Sequence, residues 1–191
     1  MIELSDKYLI DVGTNRACYE HPNDQNKCIK IVISGNNKES KQEIKYYKYL
    51  IKKNIAWKHI ARYYGLIETN LGIGEVVELI RDFDGNISKP LSYYIIKNSL
   101  IESNILESLL VNLKNYLFQE KIIVKDLNVV NIVYKKVTHD DSILVIIDGL
   151  NNSFSIKNNI NYFKVKTIKN IWKSFINSLY NAEVYKYIKN I

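Results

Sequence analysis

Two short motifs in the second half of the chain carry residue types suited to phosphate chemistry. The stretch Asp-Leu-Asn-Val-Val-Asn runs from Asp126 to Asn131, and Asp148-Gly149 closes the hydrophobic run that follows. In phosphotransfer sites such an aspartate lies beside the acceptor hydroxyl, while the asparagine and a second aspartate bind Mg²⁺ on ATP. Asp and Asn are also common turn residues, so the motif alone fits an ordinary surface turn about equally well.

The segments around these motifs predict how they meet in space. Residues 132–134 leave the loop as a strand, residues 137–142 turn the chain, and residues 143–147 return antiparallel to the first strand. We therefore expect Asp148 to lie beside Asn131.

A nucleotide site of this kind also needs a strand lysine for the α- and β-phosphates and a helix glutamate that holds the lysine. Lys30 lies in the β-branched run Cys28–Val32, and Glu43 lies in a predicted helix over residues 37–53. A solvated strand lysine and a helix-surface charge are the stronger interpretations when each residue is taken singly. Five positions in the expected order, each on the expected element, favour a functional site instead: Lys30, Glu43, Asp126, Asn131 and Asp148.

The segment before Lys30 lies where a glycine-rich, phosphate-covering loop belongs. Gly13 is its one glycine, so the G-x-G-x-x-G pattern is absent. Backbone amides from Thr14 onwards are candidates to cover phosphates, with the side chain of Thr14 or Arg16 adding contacts. A plain hairpin turn is an equally good interpretation of this segment.

On a wider set of motifs the chain resembles the YrbL-like family, named after a product of the enterobacterial PhoP regulatory network. The motifs are Gly13-Thr14, Cys18-Tyr19, His21-Pro22, Cys28–Val32, Glu43–Tyr47, Arg62–Gly65, Asp82–Gly85, Leu127–Asn131 and Ile171–Ile176. The resemblance implies a small, two-lobed, protein-kinase-like α+β fold, with an antiparallel N-lobe sheet, one N-lobe helix and a mainly helical C-lobe. Some members lack the loop aspartate. This chain keeps Asp126, which favours an active enzyme over a pseudokinase.

That fold implies one domain with an N-lobe over residues 1–79, a hinge over 80–85 and a C-lobe over 86–191. Hinge backbone groups bind adenine in kinases, so Glu78 and Ile80 are the expected nucleotide contacts. Within the C-lobe, helical patterns run over residues 88–99 and 103–119 and, as an amphipathic segment, over 167–180.

The chain departs from the general kinase pattern in several places. Val124-Lys125 replaces the usual His-Arg before the loop aspartate, Asn128 stands where a lysine is common, and no Phe follows Asp148. No Ala-Pro-Glu motif follows, and 43 residues remain after Asp148. We therefore expect a small molecule, a sugar or a lipid headgroup as the phosphate acceptor.

Composition and charge limit the remaining possibilities. The chain has 191 residues, 47% of them hydrophobic, with no apolar run near the length of a membrane span and no leader-like start, so we expect a cytoplasmic protein. Cys18 and Cys28 are expected on adjacent antiparallel strands, where a disulfide is geometrically conceivable, but without export we expect both to be reduced. The net charge of the chain is +7. Residues 151–191 contribute +6 of it, because this segment has seven lysines and one glutamate.

Such charge attracts an anionic acceptor, an anionic membrane surface or RNA, whereas the favoured alternative is a core helix with a solvated lysine face. The 15 tyrosines lack the glycine-punctuated pattern of an RNA-binding sheet, which argues against nucleic acid.

The leading hypothesis is an ATP- and Mg²⁺-dependent phosphotransferase in which Asp126 orients the acceptor. In this hypothesis Lys30 binds phosphates, Glu43 pairs with Lys30, and Asn131 and Asp148 hold Mg²⁺. Two competing hypotheses remain. One is a pseudokinase that binds nucleotide or a partner without catalysis, and the other is a basic adaptor for an anionic surface.

Overall fold

The computed structural model describes residues 1–96, 101–150 and 161–181, which form two antiparallel sheets and four α-helices. The first half contains β1 (Leu9–Val12), β2 (Arg16–Glu20), β3 (Lys27–Val32), α1 (Lys38–Lys53), β4 (Tyr63–Thr69) and β5 (Gly72–Glu78). The second half contains β6 (Lys89–Pro90), α2 (Leu91–Ile96), α3 (Ser103–Gln119), β7 (Ile132–Lys136), β8 (Ser142–Ile146) and α4 (Asn161–Asn181). The predicted α+β class is confirmed.

The first sheet has the strand order β1-β2-β3-β5-β4, with all neighbours antiparallel. Its central strand β3 is rich in β-branched residues, which favour the pleated, buried environment of a strand. The register places Cys18 of β2 and Glu75 of β5 on either side of Lys30. Cys18 and Cys28 lie on adjacent strands as predicted, and both are free thiols.

Helix α1 packs against this sheet through an aromatic face. Tyr46, Tyr47 and Leu50 are fully buried, and they repeat at the three- and four-residue spacing of one helix side. The helix ends at Asn54, which adopts a left-handed conformation and donates its backbone N–H to the carbonyl of Ile51. This packing fixes the orientation of α1 and therefore the position of Glu43.

The two halves of the molecule are joined at the second sheet, whose strand order is β6-β7-β8. The Ala61 N–H donates to the carbonyl of Ile146 at 2.9 Å, and the Ile146 N–H donates to the carbonyl of His59 at 2.9 Å. The segment after α1 therefore pairs with β8, the strand that leads into Asp148. This pairing ties the N-terminal half to one side of the predicted site.

Helices α3 and α4 supply much of the core in the second half. The buried core residues of α3 are Leu106, Leu109, Leu110, Leu113, Tyr116 and Leu117, and those of α4 are Ile168, Trp172, Phe175, Ile176 and Leu179. The α4 residues Lys166, Lys169 and Lys173 are exposed. This helix matches the interpretation of a core helix with a lysine face, while the basic residues after 181 lie outside the described part.

The predicted helix over residues 88–99 begins later than expected. Lys89 and Pro90 form the short strand β6, paired with Tyr134 and Val133 of β7, and the helix starts at Leu91. Sheet pairing removes the first turn because an extended residue cannot also be helical. Residues 97–100 lie outside the described part.

Among the helices that are described, no segment has the length and apolar character needed to cross a membrane.

Candidate functional site

The first sheet and the loops beside β7 and β8 enclose a cleft of two adjoining cavities of about 560 and 590 Å³. Volumes of this size are typical of small-molecule and cofactor sites. The cavities share Gly13, Arg16, Val130, Asn131 and Asp148. The smaller one is largely apolar, and its lining includes Ile10, Cys18, Val77, Leu79, Ile80 and Val133. The larger one is polar, and its lining includes Thr14, Glu39, Glu43, Lys125, Asp126 and Gly149.

Lys30 projects from β3 into this cleft and is buried there, so it is not a solvated strand lysine. Its Nζ donates to the carbonyl of Ile147 at 2.8 Å and lies 3.6 Å from Oδ2 of Asp148. Burial lowers the pKa of the ammonium, but the negative charges of Asp148 and Glu43 outweigh burial and raise this pKa. Lys30 is therefore a charged group beside Asp148.

The expected ion pair between Lys30 and Glu43 is not formed, because Arg16 takes the place of the lysine. Nη1 of Arg16 donates to Oε2 of Glu43 and lies 3.8 Å from Oε1 of Glu75, while Nη2 donates to Oδ1 of Asp148. The single amine of Lys30 is already engaged by Ile147 and Asp148. The forked guanidinium at the start of β2 reaches several carboxylates at once.

Both carboxylates bound to Arg16 have shifted pKa values. Burial raises the pKa of Glu43 to about 7, although Lys30 and Arg16 act in the opposite direction. Burial also acts to raise the pKa of Asp148, but here Lys30 and Arg16 prevail and lower it to about 2. Asp148 is therefore ionised at neutral pH, with its charge balanced by Lys30 and Arg16.

The loop that carries Asp126 lies on the opposite side of the cleft and is held by side-chain amides. Asn128 Nδ2 donates to Oδ1 of Asp126 at 2.9 Å, and Asn131 Nδ2 donates to Oδ2 at 3.0 Å. The Ile147 N–H donates to the carbonyl of Asn131 at 2.9 Å. The β7–β8 hairpin therefore brings Asp148 beside the asparagine loop in space, while the Asp126 carboxylate remains exposed to solvent.

Gly149 allows the strand end and the loop to approach closely. Its φ of +81° lies in the left-handed region that favours glycine, and an added Cβ would lie 2.5 Å from the carbonyl oxygen of Asp126. The Asp126 N–H donates to the carbonyl of Gly149 at 3.3 Å. A side chain at position 149 would therefore push Asp126 and Asp148 apart.

Asn131 and Asp148 carry oxygen atoms of the type that Mg²⁺ prefers. Magnesium prefers hard oxygen ligands and is commonly held by one or two side chains together with phosphate oxygens and water. The Nδ2 of Asn131 is used by Asp126, and in the described part of the chain its Oδ1 accepts no hydrogen bond. An ionised carboxylate and the amide oxygen of Asn131 thus line the same cleft.

The loop between β1 and β2 is a tight hairpin turn that also borders the cleft. The Gly13 N–H donates to the carbonyl of Arg16 at 2.9 Å, so this amide is used inside the turn. Gly13 and Thr14 both line the larger cavity. The two interpretations of this loop, a plain hairpin and a phosphate-covering loop, are therefore compatible.

At the other end of the cleft, Glu78 and Ile80 line the apolar cavity. The Glu78 N–H donates to the carbonyl of Arg62 at 2.7 Å, and the Ile80 carbonyl accepts from the Ser88 N–H at 3.0 Å. No hydrogen bond from the Ile80 N–H is seen within residues 1–96, 101–150 and 161–181. This N–H is therefore the better candidate for a ligand contact.

The motifs do not predict two features of the charged cluster. Arg16 is expected to contact phosphates rather than to pair with Glu43, and Glu75 is not among the expected site residues. Glu75 is buried in β5, and its Oε1 accepts from the hydroxyl of Ser40. A carboxylate in the middle of an otherwise apolar strand, Ile-Gly-Glu-Val-Val, was the available signal.

A five-stranded antiparallel sheet with one packed helix, joined across a cleft to a mainly helical half, defines a protein-kinase-like fold. Among solved structures, the kinase domain of Mycobacterium tuberculosis PknI matches with a TM-score of 0.52 and 11% sequence identity. The match covers 76% of this chain and 58% of that chain, and it shows the fold alone. The predicted two-lobed fold is confirmed.

The chain belongs to the family described as PhoP regulatory network protein YrbL, which matches residues 2–180. The YrbL proteins of Escherichia coli (strain K12) and Shigella flexneri are each 34% identical to it over 183 residues. These alignments cover 92% of this chain and 87% of each relative. The family resemblance predicted from the motifs is confirmed.

Proposed function

We propose that this protein is an ATP- and Mg²⁺-dependent phosphotransferase. The observation that carries the proposal is the convergence of Lys30, Asp126, Asn131 and Asp148 on one cleft, although they are spread over more than a hundred residues of sequence. Structural ion pairs also bring distant residues together. Ion pairs with a purely structural role do not require an apolar cavity at one end of the cleft and a solvent-exposed carboxylate at the other.

The two cavities suit different parts of the nucleotide. The apolar one would take the adenine, with the Ile80 N–H as a hydrogen-bond donor to the base. The polar one would take the phosphates, with Mg²⁺ held by Asn131 and Asp148, which line both cavities. Lys30 lines the apolar cavity beside Asp148 and would neutralise the phosphates from there. Bound Mg²⁺ would supply charge neutralisation on the phosphates, as in phosphoryl transfer generally.

Asp126 would orient the hydroxyl of the acceptor. Its carboxylate is exposed at the polar cavity and is fixed by Asn128 and Asn131, so it is oriented without being buried. The exposed position of Asp126 supports a small acceptor that approaches from solvent, such as a sugar or a lipid headgroup. We further propose that the protein is cytoplasmic, because ATP is available in that compartment.

The test is ATP turnover by the purified protein with Mg²⁺, first with water alone and then with sugars and soluble headgroup alcohols as acceptors. The matched variants are Asp126→Asn and Asp140→Asn, which remove the same charge at an exposed position. Asp140 does not line either cavity. Turnover by the wild type and Asp140→Asn, but not by Asp126→Asn, is the expected result.

A second candidate is a nucleotide-binding regulatory protein without catalysis. One observation favours it: Nη2 of Arg16 contacts the same Asp148 carboxylate that would hold the metal. In this case ATP binds, but no γ-phosphate is transferred to any acceptor and Asp126→Asn changes nothing. The turnover experiment separates the two candidates.

A further inference from the structure

The guanidinium of Arg16 bridges carboxylates from opposite sides of the cleft. One nitrogen contacts Glu43, which comes from α1 in the N-terminal half, and the other contacts Asp148, which follows β8. The side chain of Arg16 is 18% exposed, and it borders both cavities. An arginine at this position faces the space in which nucleotide phosphates would lie.

Charge is unevenly shared within this cluster. Asp148 is contacted by both Arg16 and Lys30. In contrast, Oε1 of Glu43 and Oε2 of Glu75 are buried without a hydrogen-bond partner in the described part of the chain. Two cations therefore contact the Asp148 carboxylate, while Glu43 and Glu75 each keep one carboxylate oxygen without a hydrogen bond in the described part. Such an arrangement leaves Arg16 free to exchange Asp148 for another anion without losing Glu43.

We propose that Arg16 is a phosphate-binding residue of the nucleotide site and that Glu43 is the residue that positions it. Nη1 stays on Glu43 while Nη2, which now contacts Asp148, binds a phosphate oxygen of a nucleoside di- or triphosphate. The Asp148 carboxylate is then released to the metal ion. This inference rests on the proposed function, because it requires a nucleotide to enter the cleft.

The chemistry of the two cations supports this division of roles. A guanidinium presents several donors in a fixed plane, so it binds a carboxylate with one edge and a phosphate with another. The Lys30 ammonium has no such fork, and it is held by Ile147 and Asp148. The glutamate of α1 therefore holds an arginine from β2, where the general pattern has it hold the lysine of β3.

The test is calorimetric binding of ATP with Mg²⁺ and of adenosine, measured on the wild type and on Arg16→Gln. Adenosine fills the apolar cavity but carries no phosphate, so it reports whether the cleft keeps its shape. We expect Arg16→Gln to weaken binding of ATP with Mg²⁺ by about tenfold or more, as expected for a lost charge-assisted hydrogen bond. Adenosine binding should change by less than about twofold.

Two further variants complete the design. Arg62→Gln removes the same charge from an exposed arginine outside both cavities and should bind ATP like the wild type. Arg16→Lys keeps the charge but not the fork, and it should recover part of the lost affinity. If Arg16→Gln also weakens adenosine binding by tenfold, the residue is structural and the proposal is wrong. If Arg16→Gln does not fold, Arg16→Lys carries the test, and ATP affinity equal to wild type would refute the proposal.

The affinity for a divalent metal without nucleotide should change in the opposite direction from the affinity for ATP. Removing Arg16 leaves the carboxylates of Glu43, Glu75 and Asp148 with one cation fewer, so Mn²⁺ alone should bind Arg16→Gln more tightly than the wild type. Equal or weaker Mn²⁺ binding contradicts the proposed release of Asp148. If the wild type binds ATP and Arg16→Gln binds it equally well, this inference fails while the proposed function stands. If the wild type binds no ATP, both fail.

Discussion

The two sides of the cleft use the same residue chemistry in different environments. On the sheet side, Glu43 and Glu75 are buried, and Arg16 links them to Asp148 through ion pairs. On the loop side, Asp126 is exposed and is held by the neutral amides of two asparagines. Under the proposed function this comparison separates binding from chemistry: the sheet side would bind the phosphates, and the loop side would present a carboxylate to the acceptor.

Dielectric environment explains why this division is effective. Charge pairs removed from water interact more strongly than exposed pairs, which are screened by solvent and salt. Under the proposed function the buried cluster would therefore hold a triphosphate in one orientation. An exposed carboxylate keeps its ordinary solvation and stays accessible to an acceptor hydroxyl. We expect substitutions on the two sides to have different consequences.

The largest effect should come from breaking each side in turn. Asp126→Asn should reduce phosphate transfer by roughly 100- to 10,000-fold, the usual range for loss of an acid–base group. Its affinity for ATP should stay within about twofold of wild type. Lys30→Met should weaken ATP binding about tenfold or more, because it removes a charged phosphate ligand. Turnover and calorimetric binding, measured on the same preparations, check both sides.

The comparison between the sides is wrong if Asp126→Asn weakens ATP binding as much as Lys30→Met does. In that case the loop aspartate would be part of the binding surface. Asp140→Asn is the control for the loss of one negative charge at an exposed position.

Much of this arrangement is predictable from the sequence because it depends on local patterns. The predicted helix over residues 37–53 is observed as Lys38–Lys53, and the predicted 103–119 helix has the observed bounds. The β7–β8 hairpin follows from two short apolar runs, residues 132–134 and 143–147, on either side of a polar turn. These features need only periodicity and turn chemistry.

The ion pairing was beyond the sequence because it depends on which side chain reaches which carboxylate. Arg16 and Asp148 are 132 positions apart, and no spacing rule relates them. Helical spacing likewise predicted a helix start at residue 88, but it could not reveal that Lys89 and Pro90 pair with β7. The predicted Lys30–Glu43 pair and the predicted helix start at residue 88 are both wrong because long-range contacts determine these features.

A stability test concerns the contact at Gly149 between the end of β8 and the loop that carries Asp126. Gly149→Ala should lower the free energy of unfolding by roughly 2 to 4 kcal/mol, since the new Cβ meets the Asp126 backbone and the backbone is left-handed. Gly35→Ala is the matched control. Its φ is +73° with nothing within 4 Å, so it should cost about 1 kcal/mol from the backbone conformation alone. Urea unfolding measures both, and equal losses would show that the close approach is unimportant.

A smaller effect should appear in the pH dependence of stability. The pKa of Glu43 is raised to about 7 by burial, so its stabilising contribution is present at low pH and is lost as pH rises through about 7. The pKa of Asp148 is lowered to about 2, mainly by Lys30 and Arg16 against the effect of burial. Its contribution is present above the ordinary aspartate range and is lost as pH falls towards 2.

The melting temperature of wild type minus that of Glu43→Gln should therefore fall between about pH 5 and pH 8. The difference between wild type and Asp148→Asn should instead fall as pH drops from about 4 to 2. Thermal melts across this range check both signs. If both melting-temperature differences changed with pH in the same direction, the opposite pKa shifts of Glu43 and Asp148 would be contradicted.

The central claim, a metal-dependent nucleotide site in this cleft, is tested most directly by thermal melting with ATP and Mg²⁺, with and without EDTA. At a ligand concentration near one hundred times Kd, the wild-type melting temperature should rise by roughly 5 to 10 °C. EDTA should remove most of this rise, and Asp148→Asn should show little of it relative to its own unliganded melt. No rise in the wild type, or an equal, EDTA-insensitive rise in Asp148→Asn, would contradict the account.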